Sequence, residues 1–493
     1  MEPRGAPDRG RRDLVMSPGL ASGAAVASDR PGLERGVWVA VLALEAAVVA
    51  AGFVLDQPFL AAAFAAGIAF FLLAFRFPDV AWALVWISVA PNVEFLFAGG
   101  TAVTLPTEPM VTLALLGWFA RSLLEGRWEI RPSPIHAPLL AVASFTLLSV
   151  LWSVRPVATL KAWVMMAGYV AFGYLYWSQT RCDRVRRDRW LLLVAVTGAV
   201  WGLFGIARVL FPAAETGRDA QEIASTYSYG AFRPFFREHG TYAAYLSMLL
   251  PAALLVAMER SRRRAVFVVC AVIIASGVLL SFARAGWLGT LLVIPATVLM
   301  WARWGQGMGR RLLVPGLVAA SLAVIVAGVG LSRQVTRHAV TVVSAENVSN
   351  LERFNRWSAA ITMARDRPLT GVGYGCYLDA YPAYKRRALG TDQSTIRMGT
   401  HSEPLKLLSE LGVPGLLAAL WLVFAVVNLG VACVRSLPDP AERLAALAAL
   451  AGLGTYLVNG LFNSYLVEDK VTIPFWMAIG IIAALGRRLP TRA

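Results

Sequence analysis

The sharpest chemical signal in this sequence is Thr400-His401-Ser402-Glu403-Pro404-Leu405. Ser402 has the form of a helix N-cap and Pro404 that of a first-turn residue, so His401 is expected at the positive end of a helix. The helix dipole there disfavours the imidazolium and keeps the ring neutral, and an ordinary imidazole pKa of about 6.5 already suits a base near neutral pH. Cations stand nearby in type, if not in sequence. Arg233-Pro-Phe-Phe-Arg237-Glu-His239-Gly240 enters an apolar run, and Ser281-Phe-Ala-Arg284-Ala-Gly-Trp287 turns between two others. A guanidinium is permanently charged and its forked donors match phosphate oxygens, which makes these arginines candidates for holding a diphosphate. Arg233 reads equally well as an interface anchor whose charge snorkels outward. Arg284 sits at a turn with little water, so it must face a polar cavity or pair with an acid such as Glu238 or Glu468.

A fourth stretch, Leu351-Glu-Arg353-Phe354-Asn-Arg356-Trp357, runs on to Asp366 and is stopped by Pro368. It is expected to be an amphipathic helix, with Arg353 and Arg356 on one face by their i, i+3 spacing. The next motif, Gly371-Val-Gly373-Tyr374-Gly375, is no dinucleotide loop, because it lacks the third glycine and a preceding strand. Tyr374, Tyr377, Tyr381 and Tyr384 then form one aromatic stripe, expected to pack on lipid headgroups or in the segment's own core; stacking on a sugar is the alternative. The four Cys and four His are scattered without metal-ligand or redox spacing, and no Lys follows a Gly as a phosphate-binding P-loop requires. Neither a metal site nor a cofactor is expected.

These residues must be positioned by a chain of 493 residues that is 57% hydrophobic and only 15% charged. Soluble proteins carry roughly 25% charged residues, so the surrounding solvent is expected to be lipid. The net charge of +16 then speaks for the orientation of membrane loops rather than for nucleic acid. Apolar runs of span length lie near residues 37–55, 58–75, 79–98, 106–121, 137–152, 159–178, 190–211, 239–258, 265–282, 285–302, 312–331, 414–434, 444–462 and 471–487. The expected fold is therefore an all-α, polytopic integral membrane protein of about 14 transmembrane helices. Arginine-rich connections such as Arg181 to Arg189 and Arg260 to Arg264 alternate with poorer ones, which places the amino terminus inside. Residues 1–36 read as a disordered cytoplasmic tail and 37–189 as N-terminal helices. The remaining parts are 190–435, the candidate catalytic region, and 436–493, the C-terminal helices. Two outside segments break the pattern, 212–238 and the large loop 332–401. From Arg333 to Arg397 the large loop carries ten basic against five acidic residues, as an anionic substrate outside the membrane would favour. Glu45 and Arg208 are further polar residues within apolar runs and receive no role.

Taken together, these segments resemble the O-antigen ligase and O-antigen polymerase superfamily of bacterial envelope glycosyltransferases. The likeness spans residues 190–435 and rests on Arg237-Glu-His-Gly240 and Ser281-Phe-Ala-Arg284-Ala-Gly-Trp287. It rests further on Arg356-Trp357 through Asp366-Arg-Pro368-Leu-Thr-Gly371-Val-Gly373-Tyr-Gly375, and on His401-Ser-Glu-Pro-Leu-Lys-Leu-Leu-Ser-Glu410-Leu-Gly412. Ser402 departs from the Asn usual after the His, and the helices expected at the amino end exceed those of typical ligases. The resemblance implies an inner-membrane enzyme with a large periplasmic loop and a site facing the periplasm. It implies a donor glycan on undecaprenyl pyrophosphate, Arg237 and Arg284 on the pyrophosphate, and His401 as base toward an acceptor hydroxyl on a glycan, lipid or protein. Arg233, Arg353 and Arg356 become further candidates for substrate contact, and membrane lipids are the remaining partner. Joining of lipid-linked repeats by a polymerase uses the same groups. A polysaccharide or lipid-linked-sugar transporter would instead place charge at the bilayer midplane.

Overall fold

The structure, a computed structural model, describes residues 58–97, 101–126, 132–179, 184–210, 235–236, 238–259, 262–304, 348–385, 399–466 and 468–489. The expected tail 1–36, the expected spans 37–55 and 312–331, and Glu45, Arg233 and Arg237 lie outside these residues. The chain divides into two compact units at Ala69 and Phe70. Of the first, residues 58–69 are described and form the start of helix α1, Pro58–Arg76. The second unit, from Phe70 onward, holds every other described element.

Helices α2 (Pro78–Val89), α3 (Thr107–Leu124), α4 (His136–Leu148) and α5 (Pro156–Val170) come first. They are followed by α6 (Arg184–Leu210), α7 (His239–Met258), α8 (Arg264–Leu280) and α9 (Arg284–Trp304). Two helices, α10 (Val348–Asp366) and α11 (Tyr377–Tyr384), lie within the expected large loop, and α12 (Glu403–Ser436), α13 (Pro440–Gly460) and α14 (Asp469–Gly486) complete the bundle. Six of the described helices are long and apolar enough to cross a membrane, namely α6, α7, α9, α12, α13 and α14.

The distribution of apolar side chains shows what surrounds the bundle. α7 and α14 are apolar on every face and buried along nearly their whole length, as central helices must be. α12 leaves Val413, Leu417, Leu420, Trp421 and Phe424 exposed along one stripe, and α8 exposes Val268, Val269 and Val272. Such stripes suit hydrocarbon rather than water. Lipid is as apolar as these side chains, so close packing rather than water exclusion must hold the helices together, and small residues occur at the contacts. A Cβ on Gly286 would come within 2.6 Å of that of Ala243, and one on Gly452 within 2.9 Å of the Met248 carbonyl. Both glycines let their helices approach α7.

The expected span over 79–98 is corrected. α2 stops at Val89, and Val93–Phe97 (β1) pairs with Thr101–Leu105 (β2) in an antiparallel ladder, Val93 opposite Leu105. Pro91 has no N–H to extend the helix. The buried Lys470, at the start of α14, donates to the carbonyls of Ala90 at 3.1 Å and Asn92 at 3.0 Å, and its neighbour Asp469 accepts from the Asn92 side chain. Apart from this ladder and short turns, the described residues are helical.

Candidate active site

Each motif carries its own reason for its local shape. Between α8 and α9 only residues 281–283 intervene. Ser281 Oγ donates to the Val278 carbonyl at 2.6 Å and accepts from the Ala283 N–H at 3.2 Å, which closes the turn. Phe282 takes the left-handed conformation at φ 54°, costly for a side chain with a Cβ. Trp287 Nε1 donates to the Val278 and Leu279 carbonyls at 3.1 and 3.0 Å, adding a side-chain donor to the last carbonyls of α8. With Gly286 seated on α7, the turn sets Arg284 as the half-buried first residue of α9.

The large-loop segment is locked to α12 by a break in that helix. Gly412 sits at φ 69°, ψ −170°, and residue 414 is a proline without an N–H. The carbonyls of Ser409 and Glu410 therefore have no helical donor, because Val413 N donates instead to Pro368 O at 2.7 Å. The glycine-rich segment takes them up: Val372 N donates to Ser409 O and Gly373 N to Glu410 O, each at 3.0 Å. Its other edge reaches the connection between α4 and α5, where Val154 N meets Val372 O at 3.0 Å and Tyr374 N meets Ser149 Oγ at 3.2 Å. Gly371, Gly373 and Gly375 all have positive φ, so the motif is a latch between two parts of the bundle.

Above the latch, α10 and α11 build a small core of their own with Ala359, Ala360, Met363, Tyr377 and Tyr381. Tyr377 and Tyr381 are thus core residues, and Tyr377 Oη donates to the Arg356 carbonyl at 3.0 Å. Arg353 and Arg356 lie three residues apart on the continuous helix α10, as their spacing predicts, but at different depths. Arg356 is buried and paired with Glu352, one turn back, at 3.4 Å, whereas Arg353 stays half-buried.

His401 stands immediately before α12, with Ser402 as N-cap and Pro404 in the first turn, as its neighbours predict. The Ser402 side chain makes no capping bond, so the cap rests on backbone geometry. His401 itself is left-handed, at φ 51°. The connection between α13 and α14 lies alongside and is stitched to it at successive residues. Thr400 Oγ1 and Ser464 Oγ lie 2.8 Å apart, His401 Nδ1 and Asn463 Oδ1 lie 2.9 Å apart, and Glu403 accepts from the N–H groups of Tyr465 and Leu466. Burial pushes the imidazole pKa down to about 4, with the bond to Asn463 opposing the shift and the charges of Arg356 and Arg353 adding to it. The charge of Arg353 also acts on Arg284. His401, Arg284, Arg353 and Arg356 therefore share one end of the bundle, the end where α7 begins. Ion pairs of arginines with acids mark the other end, where Arg187 meets Asp439 at 3.3 Å and Arg488 meets Glu442.

Residues 269–420 match the family model described as O-antigen ligase. The match contains the Arg284 turn, the α10 helix, the latch and the His401 helix start. That match supports membership of the O-antigen ligase superfamily. Together with the six long apolar helices it points to a multi-pass membrane protein, and it leaves out Arg237-Glu-His-Gly240, which the resemblance in the sequence had included. No curated protein sequence matches the chain.

Asn463, Tyr465 and Glu403 were not singled out by the sequence. Glu403 was in view as the residue after the N-cap. Asn463 lies in a short connector far along the chain, with no signal that could have joined it to His401.

Proposed function

We propose that this protein is a ligase-type glycosyltransferase of the bacterial inner membrane. It moves a glycan from undecaprenyl pyrophosphate to an acceptor hydroxyl on the periplasmic face. The observation that carries this reading is a hydrogen-bonded His401 immediately before a helix start, with Arg353 near enough for its charge to act on both His401 and Arg284. In this reading His401 Nε2 takes the proton of the acceptor hydroxyl as its oxygen attacks the anomeric carbon. The bond from that carbon to the pyrophosphate oxygen breaks, and the electron pair leaves with the pyrophosphate. Arg284, together with Arg237, stabilises the charge on the departing group. The leaving group is activated already, so neither a nucleotide nor a metal is needed to drive the step. Arg353 is a further contact for the diphosphate. Arg356, held by Glu352, supports α10 and adds to the field without touching the donor.

Purified protein incubated with a lipid-pyrophosphate glycan and an acceptor tests this directly. His401→Ala and Arg284→Ala are each expected to lower transfer by about 10²-fold or more. Unchanged transfer in both variants would refute the site. The acceptor class is read from the carriers that accumulate when the protein is lost. Long glycans left on undecaprenyl pyrophosphate indicate a ligase, and single repeats a polymerase.

A further inference from the structure

The Asn463 contact has a direction that the rest of the structure fixes. Gly240, in the first turn of α7, offers a backbone carbonyl that can only accept. Tyr465 Oη donates to it at 3.1 Å. Having spent its only proton there, the Tyr465 oxygen is an acceptor on its remaining side, and Asn463 Nδ2 donates to it at 2.8 Å. This sets the amide with its oxygen toward His401, 2.9 Å from Nδ1. An amide oxygen cannot donate, so Nδ1 must carry the imidazole proton. The lone pair is then on Nε2.

A second observation supports the same chain. Asn463 and Tyr465 are both buried, and they lie against Gly240 so closely that a Cβ there would meet Asn463 Nδ2 at 3.1 Å and Tyr465 Oη at 3.5 Å. The glycine of the Arg237-Glu-His-Gly240 motif thus leaves room for the amide that orients the histidine. Two motifs far apart in sequence meet through residues that neither contains.

We propose that Asn463 is a positioning residue, anchored through Tyr465 on the Gly240 carbonyl, which selects the Nδ1–H tautomer of His401 and so leaves Nε2 free to accept a proton. Its consequence for transfer rests on the reading of His401 as the base. Tautomer selection does not depend on that reading.

The test uses full-length protein labelled with ¹⁵N-histidine. The chain has four His, and His401→Gln identifies the signal by its loss. In the wild type the His401 nitrogens are expected to report a protonated Nδ1 and an unprotonated Nε2. Asn463→Leu should shift the ring toward the Nε2–H form, and Tyr465→Phe, which keeps the shape of the site, should do so in part. In the transfer assay Asn463→Leu is expected to lower kcat at least tenfold with little change in KM for the donor. Asn463→Asp should restore kcat, because its carboxylate accepts the same bond, and should move the acid limb of the pH profile upward. A wild-type ring protonated at Nε2, or a tautomer that neither Asn463→Leu nor Tyr465→Phe alters, overturns the proposal. So does an Asn463→Asp variant that matches Asn463→Leu in kcat and pH profile. Should wild-type protein show no transfer, the functional reading fails, while the nitrogen spectra still decide the tautomer.

Discussion

Gly371→Ala probes the latch most directly. Residue 371 has φ 65°, where a Cβ costs about 1–2 kcal/mol. The new Cβ would also press on the backbone at Glu410 and lie within 2.6 Å of Leu411 N. Backbone inside a helix cannot yield as a side-chain tip can, so the segment must lift away from α12. Lifting it endangers the bonds from Val372 N to Ser409 O, Gly373 N to Glu410 O and Val154 N to Val372 O. At about 0.5–1.5 kcal/mol each, these and the φ strain together amount to roughly 3–6 kcal/mol. The matched control is Gly168→Ala, inside α5, where a Cβ meets nothing within 4 Å. That change should stabilise by about 0.5–1 kcal/mol, since alanine is the better helix residue. The assay is thermal unfolding of the detergent-solubilised protein, followed by transfer at a permissive temperature. Gly371→Ala is expected to lower Tm by about 5 °C or more and to reduce transfer, because α10 carries Arg353. A Gly371→Ala protein that melts with the wild type would refute the latch.

The resting His401 pKa of about 4 implies a kcat/KM that is flat through neutral pH and falls with decreasing pH only near that value, as the base becomes protonated. A bound diphosphate offsets the charges of Arg353 and Arg356, so the acid limb of kcat should lie at higher pH than that of kcat/KM. A free-enzyme limb near the ordinary imidazole value of about 6.5 would contradict the burial of the ring. Arg356→Met should cost about 3–5 kcal/mol in thermal or denaturant unfolding by breaking its buried ion pair with Glu352, and adding Glu352→Leu should recover most of it. Arg353→Ala should instead raise KM for the donor and leave Tm near that of the wild type. Lys470→Met strands the Ala90 and Asn92 carbonyls and leaves Asp469 without its neighbouring charge, and a Tm drop comparable to that of Arg356→Met is expected.

The parts of this structure that obey local rules were readable in the sequence. Ser402 and Pro404 announce a helix start, and that start fixes where His401 must stand. The run from Leu351 to Asp366 and the tight turn at Arg284 were readable for the same reason. The span expected over 79–98 failed because hydropathy continues past Pro91, whereas Lys470 takes over the end of α2 from the far end of the chain. The i, i+3 spacing puts Arg353 and Arg356 close on α10 but does not say which is buried, and the i, i+4 spacing of Glu352 to Arg356 is the one that marks the buried pair. Asn463 and Tyr465 could not be read at all. Their meaning lies in a tertiary contact, and neither periodicity nor charge marks it.

The break at Gly412 bears on the order in which the chain can assemble. The carbonyls that hold Val372 and Gly373 belong to Ser409 and Glu410, which are synthesised later and lie on a helix able to cross the membrane. The segment that carries Arg353 leaves the ribosome before its anchor exists and can reach its seat only after α12 has been inserted. Tyr374, which bonds back to Ser149, then closes against helices made much earlier. Maturation of the site is therefore a late event in biogenesis, and a chain truncated before Ser409 would hold the arginines of α10 without a place to put them.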